Sequence, residues 1–191
     1  MTKRYDWRPL EPPYEMLVGE TAQEFFAEIV EPHFKIFEWG SGAGSLWFAQ
    51  HAAEVISVEN WEPWYEYLLT IAPPNLTLKL AAGRAKSPTQ EEEMVRYIAT
   101  IDEYPDSYFD LVFSDGWDES RGRCPRRAMA KVKVGGWLVI DNMEWNPPQR
   151  GAVPVQEAGW PETRKYGVVV GERIWDGLGR RCVTSFFQRP E

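Results

Sequence analysis

The segment Phe34 to Ser45, FKIFEWGSGAGS, constrains this chain more than any other. A short apolar run ends at Glu38. Glycines follow at alternate positions (Gly40, Gly42 and Gly44), and the helix-like run LWFAQHAA comes directly after. Strand, tight glycine turn and helix in that order let a backbone approach a nucleotide-like ligand at a helix N-terminus. The spacing is G-x-G-x-G, not the G-x-G-x-x-G of dinucleotide-binding units. A carboxylate at the strand tip would repel a pyrophosphate, but it suits a ligand that carries an ammonium and a sulfonium. A second acid, Glu59, closes the apolar run EVISVE, 21 positions after Glu38. That distance leaves room for one helix and a return strand. An acid at a second strand's tip typically accepts hydrogen bonds from ribose hydroxyls.

The rest of the chain continues the alternation. Thr21-Ala22-Gln23-Glu24 is a capping-box pattern and opens a helix over FFAEIV that Pro32 stops. Strands are predicted over 35–38, 55–58, 76–80, 109–114 and 137–140. Helices are predicted over 45–53, from an Asn60 cap across WEPWYEYLLTIA, from Ser87 across EEEMVRYIATI, and over 125–132. The stretch after Asn146 reads as loop-rich up to Gly167, with two closing strands near the C-terminus. This spacing of strands and helices implies an α/β sandwich with a mostly parallel sheet. At 191 residues the expectation is one domain, 1–191, with 1–33 forming an N-terminal arm and helix or lid.

EWGSGAG, SVEN, DLVFSDG and VGGWLVIDN together resemble the class I methyltransferases that use S-adenosylmethionine (SAM). The likeness runs from about Phe34 to Asn142. It implies a three-layer α/β sandwich with seven strands, the last antiparallel. By the resemblance, Gly40 and Gly42 let the backbone pass the methionine part of SAM, and Ser41 and Ser45 offer hydroxyls or amides nearby. Glu59 would hold the ribose, Asn60 would lie beside the adenine, and Asp115 would sit near the amino acid and sulfonium. Glu38, Glu59 and Asp115 fall at the carboxyl ends of strands, where open α/β sheets bind ligands. Trp117, directly after the Asp115 tip, is the tryptophan expected in the pocket; Trp7, Trp145 and Trp160 are further loop aromatics on that side.

Within that group, LVFSDGW followed by GGWLVIDN is similar to the metal-dependent small-molecule O-methyltransferases. Their acid matching Asp115 and their pair matching Asp141-Asn142 hold magnesium. This chain carries Asp118 where those enzymes commonly have a lysine base. Asp141-Asn142 therefore reads first as a polar strand-end turn, and magnesium is not the favoured cofactor. Asp115 and Asp118 are the carboxylates expected to act in catalysis.

Net charge and cysteine content bound the partners. A net charge of −8 leaves little counterion-release energy for binding nucleic acid, so a small-molecule acceptor is expected. Arg121, Arg123, Arg126 and Arg127 read as a solvated basic helix face. Cys124 and Cys182 form no zinc spacing and no disulfide framework. The start lacks a signal-peptide core and no apolar run reaches membrane-spanning length, so no membrane partner and a cytoplasmic location are expected. His33 and His51 are poorly placed as bases, and no G-x-S-x-G elbow or P-loop is present. The expected function is SAM-dependent methylation of a small molecule, on oxygen by preference. The alternative is a SAM- or nucleotide-binding regulator without methyl transfer. A nicotinamide-dependent dehydrogenase comes third, because its fingerprint needs different glycine spacing.

Overall fold

Short apolar runs bounded by glycine, proline and polar turns become strands buried on both faces, as a parallel sheet under two helical layers requires. The computed structural model describes residues 9–16, 18, 20–81, 90–116, 118–144, 146–169 and 181–191. The strands are β1 (Lys35–Trp39), β2 (Glu54–Glu59), β3 (Leu76–Leu80), β4 (Phe109–Ser114), β5 (Val132–Ile140), β6 (Glu162–Val169) and β7 (Arg181–Gln188). They form one sheet in the order β3-β2-β1-β4-β5-β7-β6. The pairs among β1 to β5 are parallel, whereas β7 runs antiparallel to β5 and β6. The expected seven-stranded sandwich with an antiparallel last strand is the architecture observed. The strand order reverses between β1 and β4, which makes that crevice the place for a ligand.

Period-two alternation sends side chains to two separate cores. From β1, Phe37 and Trp39 pack on one face with Tyr97, Ile98, Ala128 and Val155. Ile36 faces the other way and packs with Phe26, Phe48, Leu68 and Phe113. Helices α4 (Gln90–Ala99), α6 (Cys124–Lys131) and α7 (Asn146–Glu157) therefore cover the first face, and α1 (Glu20–Ile29), α2 (Ala43–His51) and α3 (Glu62–Leu69) the second. A short helix, α5 (Asp118–Arg121), follows the β4 tip. Glu38 alternates with Phe37 and Trp39, so it points into the α2 layer, where Ser45 and Ser57 meet it.

Four expectations change. Residues 146–157 are a helix, not a loop. Pro147, Pro148, Gly151 and Pro154 hide that helix in the sequence, but Ala152 and Val155 bury one side of it against the core. Gly151 lets α7 approach α5, since a β-carbon there would stand 2.4 Å from the Arg121 carbonyl oxygen. Second, β5 begins at Val132, and its pairing with β4 carries an irregularity between Phe109 and Leu111. Third, Asn60 does not cap α3: the residue before the helix is Trp61, and the Glu59 carboxylate accepts the Asn60 and Trp61 N–H groups, each at 2.8 Å. Fourth, Trp160 is a core residue and not a loop aromatic of the pocket. Residues 87–89, Trp7, Trp117 and Trp145 lie outside the described residues, as do the side chains of Asp118 and Cys182. Among the described residues, no helix is long and apolar enough to cross a membrane.

Candidate active site

The turn after β1 is held by backbone hydrogen bonds across three strand tips. Gly40 N–H donates to the Val58 carbonyl at 2.9 Å, and Asp115 N–H donates to the Trp39 carbonyl at 3.0 Å. Gly40 has φ of 99°, in the left-handed region where a β-carbon is strained. Trp64 Nε1 donates to the Ser41 carbonyl at 2.8 Å, so α3 steadies the turn from the side. Gly42 N–H donates to Ser45 Oγ at 2.9 Å. A β-carbon on Gly42 would meet nothing within 4 Å, which leaves its backbone facing open space at the start of α2.

Around this turn lies a cavity of about 240 Å³. Its lining brings together the expected Glu38, Gly40, Ser41, Gly42, Glu59, Asn60 and Asp115. Ser45 sits behind the wall rather than in it: fully buried, it donates to Glu38 Oε2 and lies 3.1 Å from Ser57 Oγ. Ser41 and Ser57 hydroxyls share a 2.8 Å hydrogen bond. Sequence reasoning missed Met16, Val18, Phe113 and Gly116, which also line the cavity. Phe113 was findable, because it lies two residues before Asp115. Met16 and Val18 come from the aperiodic N-terminal arm, which carried no signal. The hydroxyl of Tyr97, whose ring packs behind Gly116, is buried without a hydrogen-bond partner among the described residues.

Burial dominates the electrostatics. It raises the Glu38 carboxyl to about 7; hydrogen bonds from Ser45 and Ser57 oppose the rise and the Glu59 charge adds to it. Burial also raises Glu59, against the N–H groups of Trp61 and Asn60 that favour its charged form. Asp115 is held well above the usual carboxylate range by desolvation, against the pull of the Arg121 guanidinium; the Asp141 and Glu38 carboxyls add to the rise. Burial thus disfavours the charged form of all three cavity carboxyl groups. The cavity's polar set fits SAM: carboxyls for an ammonium and a ribose, an unobstructed glycine backbone at a helix start, and Met16, Val18 and Phe113 as apolar walls.

Beside this cavity, Arg121 departs from the solvated face predicted for it. It is only 8% exposed. Its Nη2 donates to Asp115 Oδ1 at 2.8 Å and to the Asp115 carbonyl at 2.6 Å, while Nη1 donates to Asn142 Oδ1. Asn142 has φ of 54°, which turns the chain sharply after β5. Thr184 Oγ1 on β7 donates to Asp141 Oδ1 at 2.6 Å. The other arginines fit the surface reading better: Arg123 pairs with Glu91 at 2.8 Å and Arg127 pairs with Asp102.

No protein-family model and no curated protein matches this sequence. Solved structures do match. A precorrin-6y C5,15-methyltransferase from Geobacter metallireducens superposes with a TM-score of 0.61 at 12% identity, over 95% of this chain and 93% of that one. A protein from Methanosarcina mazei described as a SAM-dependent methyltransferase gives 0.59 at 12% identity, over 87% and 97%. An rRNA methylase from Streptococcus thermophilus gives 0.56 at 12% identity, over 93% and 100%. At such identities the likeness establishes the fold, and that fold is the Rossmann-like one of the class I methyltransferases.

Proposed function

We propose that this chain is a methyltransferase that uses SAM and methylates a small-molecule acceptor, on oxygen by preference. The observation that carries this reading is the convergence of Glu38, Glu59 and Asp115 from three strand tips on one cavity beside the glycine turn. Bound SAM would supply a methyl group on a positively charged sulfur. Glu38 would pair with its ammonium, and Glu59 would accept from the ribose hydroxyls while keeping its hold on Asn60 and Trp61. Asn60, in the cavity lining, would lie beside the adenine, and Met16, Val18 and Phe113 would supply apolar walls. Aligning donor and acceptor is the chain's main contribution, on the order of 7–11 kcal/mol for well-oriented reactants. A carboxylate base adds about 10²–10⁴-fold, and Asp115 and Asp118 are the candidates.

The small-molecule acceptor is supported by the net charge of −8 and by the acidic partners of Arg123 and Arg127. The matched structures do not choose, since one is named for precorrin and another for rRNA. A labelled-methyl assay across metabolite mixtures, with RNA and DNA run in parallel, tests this. Label appearing in small molecules is the expected result. Tight, steeply salt-dependent nucleic-acid binding with labelled RNA or DNA would overturn it. SAM binding without turnover on any acceptor would favour the regulator reading, to which the engagement of Asp115 by Arg121 lends some weight.

Glu59→Ala should weaken SAM binding by about 1.5–3 kcal/mol, because a charged acceptor of two hydroxyls is lost. Isothermal calorimetry is the measurement, with Glu59→Gln as the variant that keeps an acceptor for the α3 start. Unchanged affinity in a folded Glu59→Ala protein would remove the ribose assignment. No SAM binding by the wild type would remove the cofactor reading altogether.

A further inference from the structure

The cluster at the β4 and β5 tips has the oxygen set of a magnesium site, yet one side-chain oxygen of each of Asp115, Asp141 and Asn142 already accepts a hydrogen bond from the protein. Arg121 reaches Asp115 Oδ1 at 2.8 Å and the Asp115 carbonyl at 2.6 Å, and it donates to Asn142 Oδ1. Thr184 donates to Asp141 Oδ1 at 2.6 Å. The donors come from α5 and β7 and the acceptors from the two strand tips, so this arrangement joins four separate parts of the fold. The ion does not fit here. Magnesium needs near-octahedral oxygens at about 2.0–2.1 Å, and a guanidinium bonded to the same oxygens both fills that space and repels a divalent cation.

We infer that Arg121 is the resident cation of this site. Its planar fork spans Asp115 and Asn142 as a metal would, favours the charged form of the Asp115 carboxyl against burial, and fixes both groups in place. Two features hold it there. The side chain is buried, and α7 lies close against the Arg121 backbone at Gly151, where a β-carbon would stand 2.4 Å from the Arg121 carbonyl oxygen. A guanidinium carries charge without Lewis acidity and never deprotonates at working pH. The site therefore orients an acceptor without chelating it, so a vicinal pair of oxygens is not a requirement of the substrate. That last clause rests on the methyltransferase reading; the exclusion of the ion does not.

The test is manganese binding, followed by the electron paramagnetic resonance of the free ion and by thermal shift, in the absence of SAM and acceptor. Wild-type protein should show no stoichiometric site. Arg121→Ala leaves Asp115, Asp141 and Asn142 without their cation and should gain one, binding manganese at least about tenfold more tightly than wild type and melting at higher temperature with the ion present. The gain should vanish in Arg121→Ala/Asp141→Asn, and Arg121→Lys should stay ion-free. If Arg121→Ala folds only when manganese is added, that rescue supports the inference equally. A stoichiometric manganese site in the wild type that Asp141→Asn abolishes would overturn it, and so would a folded Arg121→Ala protein that gains no site. Neither result depends on whether SAM binds.

Discussion

Gly40→Ala is expected to lose about 2–4 kcal/mol of stability together with measurable SAM binding, an effect large for one methyl group. Two costs combine. At φ of 99° an L-residue is strained. The new β-carbon would also stand 2.8 Å from Gly116 Cα and 2.9 Å from the Asp115 carbonyl carbon and oxygen. Those contacts are backbone, so no side chain can swing away. Relief requires the β1 and β4 tips to part, which lengthens the hydrogen bonds from Gly40 to Val58 and from Asp115 to Trp39. Glu38 and Asp115 then no longer face one ligand. Urea denaturation measures the first loss and calorimetry the second. A variant within 1 kcal/mol of wild type, on the scale of ordinary surface substitutions, would mean the turn is not the constraint described. Gly42→Ala is the matched control: with nothing within 4 Å of the added carbon and φ of 176°, it should fold normally.

Glu38 should make the free protein less stable as pH rises. Its carboxyl titrates near 7 in the folded state against an ordinary 4.5. Between those values the folded protein holds a proton that the unfolded chain has released. The stabilisation is full below about 4.5 and is lost as pH climbs through 7. From this group alone the loss reaches roughly 3 kcal/mol. Glu59 and Asp115 are raised as well and act in the same direction, so the test is a difference. Chemical denaturation from pH 5 to 8 should show a shallower decline for Glu38→Gln than for the wild type. Parallel curves would disprove the assignment. A bound ammonium favours the charged carboxylate, so SAM affinity should rise with pH up to about 7 and then level off. Calorimetry near pH 6.5 in buffers of different ionisation enthalpy should detect a proton released on binding.

Much of this is legible in the sequence alone. FKIFEWGSGAGS had few alternatives, because an apolar run ending in a glycine turn and an apolar helix can bury itself only as strand, turn and helix. The tips at Glu38 and Glu59 followed from the strands' lengths. The segment after Asn146 reads as loop in the sequence because Pro147, Pro148, Gly151 and Pro154 all lower helix propensity. Burial of Ala152 and Val155 outweighs that preference, and no window of sequence contains the surface they bury against.

Arg121 marks the boundary most sharply. Beside Arg123, Arg126 and Arg127 it reads as one more surface charge. Its meaning depends on Asp115, six residues earlier, and on Asn142, 21 residues later, and on the strand-end turn that aims Asn142 at it. Local pattern determined the strands, the glycine turn and the acids at the tips, because backbone sterics and alternation act between near neighbours. Which oxygens receive which cation was decided by parallel strands from distant parts of the chain ending at one edge. There a charge withdrawn from water needs a partner, and only the assembled fold supplies it.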